Sequence, residues 1–135
     1  MSKRTLCVIS GTISLVVGGA IYILFRENSH IALFFNNSFI ESVRDIFVPL
    51  SNNVTKYYLA DFFWGFSLCA YLLALFLPKT RGAILCGLTA FLCGTFWEIL
   101  QFLKAVSGTG DLIDVVMYLL AATLAVILFL KEKEK

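Results

Sequence analysis

Five side chains carry most of the chemistry this sequence offers: Asp61, Glu98, Gln101, Asp111 and Asp114. They sit in "YYLADFFWGF" and "TFWEILQFLKAVSGTGDLIDVVMYLL", among residues that are otherwise almost all apolar. Tyr118 follows Asp114 by four positions, and Trp64 follows Asp61 by one helical turn. A carboxylate cluster can bind a hard cation through oxygen ligands. It can move protons or do acid–base chemistry. It can also hold a cationic head group, or a neighbouring Lys or Arg, in place. No nucleophile–base pair, zinc-protease helix or phosphate loop is present, so no motif supports catalysis. His30, a lone histidine in a polar stretch, is not a catalytic candidate.

The elements that must position these groups follow from composition. Of 135 residues, 59% are hydrophobic and only 15% charged, and the mean hydropathy is +0.86. That is too little charge to cover a soluble domain. A net charge of +2, with no basic patch interleaved with aromatics, excludes nucleic acid as a partner. Thirteen Phe and five Tyr suit lipid-facing packing and interfacial belts. Four apolar runs, at about 5–25, 58–77, 82–103 and 112–130, approach the roughly 20 residues that cross a bilayer. In lipid each must be helical, since the backbone has no other way to pair its polar groups. The first run follows Lys3 and Arg4 but is longer than a signal-peptide core, so it reads as a retained span. The expected fold is all-α: one integral membrane domain, 1–135, of four transmembrane helices, with membrane lipids as its surroundings.

Four spans put both termini on one side. That side carries Lys3, Arg4, Lys79, Arg81, Lys131, Lys133 and Lys135, against Arg26, Arg44, Lys56 and Lys104 on the other. The positive-inside rule then makes the termini cytoplasmic in a multi-pass protein of the cell membrane. The first outer connection contains "SFIESVRDIFVPL", with Phe39, Ile40, Val43, Ile46 and Phe47 at helical spacing, which predicts a short amphipathic helix at the membrane surface. The stretches "FNNS" and "LSNNVT" read as turns. Cys7, Cys69, Cys86 and Cys93 all fall in apolar runs without a C-x-x-C pair and read as small buried hydrophobes.

On span three, Ala83, Gly87, Ala90, Gly94, Glu98 and Gln101 share one face. On span four, Asp111, Asp114, Tyr118, Ala121 or Ala122, and Ala125 do the same. Small residues let membrane helices approach closely, so the two spans should form an antiparallel hairpin, stripe against stripe. Glu98 and Gln101 then approach Asp114 and Tyr118, and Asp61 joins them at the same level. Glu98, about 7 Å inside its span, is the most expensive of these groups to leave without a partner. Asp111 and Asp61 can also serve as helix caps. Gln101 can serve as an interhelical hydrogen-bonding group, and Trp64 as an interfacial anchor. Arg44, Lys56 and Lys104 lie on the same side and could neutralise the acids.

The E-x-x-Q of Glu98 and Gln101, the short turn-containing loop, and Asp114 opening the next span together resemble the VanZ-like family of small bacterial membrane proteins. The resemblance covers about residues 61–130 and is distinctive only in the C-terminal hairpin. This chain has Lys104 where the family carries a loop Arg, Tyr118 where it carries Asn, and "DFFWGF" where it has a His. The resemblance implies a role in the bacterial cell envelope, linked through the family's namesake to resistance to the glycopeptide teicoplanin. The leading expectation is an outward-facing acidic pocket of Glu98, Gln101, Asp114, Asp61, Asp111, Tyr118 and Trp64. It would bind a lipid or cell-wall head group, such as a lipid-linked envelope precursor. No cofactor is expected, although the acids leave a divalent cation open. The alternatives are a small ion- or proton-coupled transporter, which would need to oligomerise to enclose a path; a structural or accessory subunit; and a hydrolase of a lipid-linked substrate.

Overall fold

The computed structural model describes residues 2–26, 34 and 37–131. His30, and Asn36 of the first turn-like stretch, lie outside them. Among the described residues there are helices and turns but no strand. Four helices are long and apolar enough to cross a membrane: α1 (Lys3–Phe25), α4 (Leu59–Phe76), α5 (Thr80–Phe102) and α6 (Leu112–Lys131). The protein is a multi-pass membrane protein, and each span lies within a few residues of its expected bounds. Among the described residues, α2 (Ser38–Phe47) and α3 (Asn53–Tyr57) are short helices between α1 and α4, with a 3₁₀ turn over Val48–Leu50 between them.

α4 is the hub. α1 packs along one side of it and α6 along another, while α5 packs on α6 and, less extensively, on α4. The contacts are built from small side chains. Ala60, Ser67, Cys69, Ala70 and Ala74 of α4 are buried, as are Ala83, Cys86, Gly87 and Ala90 of α5 and Ala121, Ala122 and Ala125 of α6. Lipid tails are as apolar as leucine, so spans gain little by hiding large side chains from them and instead associate through close backbone approach. Leu75, Phe76, Leu85 and Leu120 accordingly face outward. Cysteine follows the same logic with one exception. Cys7, Cys69 and Cys86 are buried and unbridged, but Cys93 is exposed on the outer face of α5, so it is not a core residue.

α2 is the amphipathic helix expected in the first connection. Its Asn37 cap accepts the Ile40 N–H at 3.0 Å, and Phe39 and Ile46 are 71% and 72% exposed, as an interfacial helix requires. Arg44 ties α2 to α1 by donating to the carbonyls of Ile23 and Leu24, both at 3.1 Å. These are among the last carbonyls of α1, which have no partner within their own helix. The "LSNNVT" stretch is more than a turn: Asn52 and Thr55 form a reciprocal capping box that starts α3.

α5 ends in a Schellman motif, with Ala105 N–H on Leu100 O and Lys104 N–H on Gln101 O, each at 2.9 Å. Lys104 occupies its left-handed position, φ 56°, where glycine is the usual residue. Lys104→Gly is therefore expected to stabilise the protein by about 0.5–1 kcal/mol, the relief of left-handed strain outweighing the added freedom of the unfolded chain. Denaturant titration in micelles measures this directly.

Candidate functional site

The acids gather at the end of the bundle opposite the termini. Asp61 stands in the first turn of α4, Asp114 in the first turn of α6, and Glu98 one turn before the end of α5. All three are buried, with 6–8% of their surface exposed. Their surroundings differ.

Asp61 is the best satisfied. Its Oδ2 pairs with Arg26 at 3.0 Å, and its Oδ1 accepts the Tyr118 hydroxyl at 3.1 Å. Arg26 follows the last turn of α1 and also donates to the carbonyls of Lys56 and Tyr57. Its guanidinium lies 5.0 Å from the centre of the Tyr22 ring. One cation thus joins α1, the end of α3 and the start of α4. Arg26, rather than Arg44, Lys56 or Lys104, supplies the counter-charge. Arg44 serves the end of α1, Lys56 lies over the Tyr57 ring, and Lys104 turns the chain after α5. The pairing could not be read from the sequence because Arg26 and Asp61 stand 35 positions apart, on helices whose relative placement had to be known first.

Glu98 and Asp111 hold the α5–α6 loop. Glu98 Oε2 accepts the backbone N–H of Asp111 at 3.1 Å. Asp111 caps α6 by accepting the Ile113 N–H at 2.9 Å, and it also accepts the Tyr58 hydroxyl at 3.2 Å. The capping role expected as an alternative for Asp111 is present, and Tyr58 joins the network without having been a sequence candidate. Gly110 lies so close to the Glu98 carbonyl that a Cβ there would stand 2.7 Å from it.

Tyr118 is wedged between two helices. A Cβ on Gly65 of α4 would stand 3.0 Å from its ring, and one on Gly94 of α5 would stand 2.6 Å from Cδ2. The two glycines are the walls of a slot that aims the phenol at Asp61. The remaining two candidates make other contacts. Gln101 packs its amide beneath Gly108, whose φ of +132° only glycine adopts readily. Trp64 faces α1: it lies across Gly18 and stacks on Tyr22 with ring centres 5.2 Å apart. It serves the α1–α4 contact, since in a helix the residue beside Gly65 points about 100° away from it.

Asp114 is the exception to this economy. Its Oδ1 is buried without any hydrogen-bond partner, and the charges of Asp61, Glu98 and Asp111 act on it. Among the described residues, Arg26 is the guanidinium that acts on Asp61 and Asp114. Among the described residues no group of three or more His, Cys, Asp or Glu side chains is placed to hold a metal ion.

No family model matches this chain, and neither a curated protein nor a solved structure matches it either. The likeness of the C-terminal hairpin to VanZ-like proteins therefore rests on its own residues alone.

Proposed function

We propose that the protein is a binding protein of the cell envelope. Its acidic end faces outward and takes the ammonium group of a lipid or cell-wall head group. The observation that carries this reading is the unpartnered Asp114 Oδ1. A buried carboxylate oxygen without a donor costs the fold several kcal/mol on the order of a lost charged hydrogen bond. An ammonium offers three donors and a positive charge, which suits Asp114 and Glu98 together. The greater number of basic residues at the terminus end supports the outward orientation, and the resemblance of the hairpin supports the envelope setting. Coupled transport is less well supported. Below Tyr118 the core is Cys69, Leu73, Ala90, Ala122 and Ala125, and such a core gives a proton or ion no polar path onward.

The test is native mass spectrometry of the protein released gently from its own membrane, wild type beside Asp114→Asn. Wild type should carry an amine-bearing adduct that the variant loses. Ligand-free Asp114→Asn should unfold later than wild type, by about 1–2 kcal/mol, because its amide can stay buried without charge. A gain in stability with no adduct on either protein would make the cluster purely structural and overturn the reading.

A further inference from the structure

The other end of the bundle has a different character. α1 and α6 both pack on α4 but hardly on each other. The gap between them is a groove of about 370 Å³, within the range of roughly 300–1,000 Å³ typical of small-molecule sites. Leu6 and Cys7 form one wall, Phe66 and Leu73 the floor, and Leu128 and Phe129 the other wall. Lys3 and Lys131 stand at its mouth from opposite sides. A second recess of about 450 Å³ adjoins it, sharing Lys3 and Phe129 and adding Arg4. Among the described residues neither cavity has a carboxylate in its lining.

An apolar slot along three spans, with two lysines across its open end, is complementary to one kind of molecule. We propose that the groove holds an anionic phospholipid. One acyl chain lies between α1 and α6, and the phosphate sits between Lys3 and Lys131. The slot is too small for a helix of a second copy, and a neutral lipid leaves the lysines unanswered. Basic residues between spans at the membrane boundary attract anionic head groups, and aliphatic lysine stems can lie along the groove while their ammonium groups reach the phosphate. Arg4 donates to the Ala74 carbonyl at 3.2 Å, which ties the start of α1 to α4. This site is independent of the acidic end.

The test uses the full chain, delipidated in detergent and given an equimolar mixture of dioleoyl phosphatidylglycerol and dioleoyl phosphatidylcholine, with bound lipid read by native mass spectrometry. Wild type should retain one phosphatidylglycerol with a preference of at least about tenfold, each basic residue near an anionic lipid contributing to it. Lys3→Glu/Lys131→Glu should abolish the preference, and Leu6→Trp, which fills the groove, should lower retention of both lipids. The charge reversals Lys79→Glu/Arg81→Glu, in the loop at the same end, should leave the preference unchanged. Loss of preference in that control pair to the same degree would mean general surface charge and overturn the site. So would equal retention of the two lipids by wild type, or a dimer that Leu6→Trp dissociates.

Discussion

Arg26→Ala is expected to lower stability by about 3 kcal/mol, because it strands a charge that the fold has already taken out of water. Asp61 keeps about 10% of its side-chain surface exposed and Arg26 about 27%. Breaking one half of a buried ion pair costs roughly 3–5 kcal/mol, and the partial exposure of the arginine places this pair at the lower end. The substitution also frees the carbonyls of Lys56 and Tyr57 and removes the cation beside Tyr22. Arg26→Lys should rescue little, since one ammonium cannot reach a carboxylate and two carbonyls in the geometry of a planar fork. Adding Asp61→Asn to Arg26→Ala should restore about half the loss: asparagine still accepts the Tyr118 hydroxyl but leaves no buried charge. Unfolding in mixed micelles, followed by Trp64 fluorescence through its stack on Tyr22, reads all three. If the double variant is no more stable than Arg26→Ala alone, the arginine acts through the carbonyls and not through the ion pair.

The spans and the hairpin of the last two were legible because the bilayer leaves few choices. Runs of about 20 apolar residues must be helices, and so short a loop brings the small faces of α5 and α6 together; that α6 packs as closely on α4 was not legible. The vertical position of the acids followed from the same argument. The partners did not. Asp61 is held by the guanidinium that follows α1 and a phenol from α6, Glu98 by a backbone N–H of the loop, and neither partner could be read from the sequence. Trp64 and Gly65 are neighbours in the chain but face α1 and α6 respectively, and only the placement of α1 tells which face is the site. The Asn52–Thr55 capping box was visible in principle, as a polar pair three residues apart, but three turn-forming residues in a row masked it. Most consequential, the sequence could not separate the carboxylates with work to do in the fold from the one without it. Asp111 caps, Glu98 braces, Asp61 pairs, and Asp114 keeps a buried oxygen without a hydrogen-bond partner.

How firmly that cluster is held depends on the seat of Tyr118, and Gly94→Ala should unseat it. The added methyl would stand 2.6 Å from Cδ2 and 2.7 Å from Cδ1 of the ring, distances at which something has to move. The ring has little room to move: Gly65 of α4 lies against its Cδ1, and the hydroxyl is bound to Asp61. The helices must part instead, at an expected cost of about 3 kcal/mol, the upper end for an overpacked core. Gly19→Ala is the control, because a Cβ there meets nothing within 4 Å. It should be neutral or slightly stabilising, by up to about 1 kcal/mol from helix propensity. The decisive comparison places Gly94→Ala in a Tyr118→Ala background. With the ring gone the methyl fits, so its cost should shrink by about 2 kcal/mol, a coupling expected only for residues in direct contact. Should Gly94→Ala be tolerated as well as Gly19→Ala in the wild-type background, the slot is not tight. Asp61 would then rely on Arg26 alone, and the acidic end would be looser than its hydrogen bonds imply. Should the coupling appear, Tyr118 is the pin that locks α4, α5 and α6 together around the acids. Asp114 then keeps its unpartnered oxygen because the surrounding helices are held too firmly to close over it.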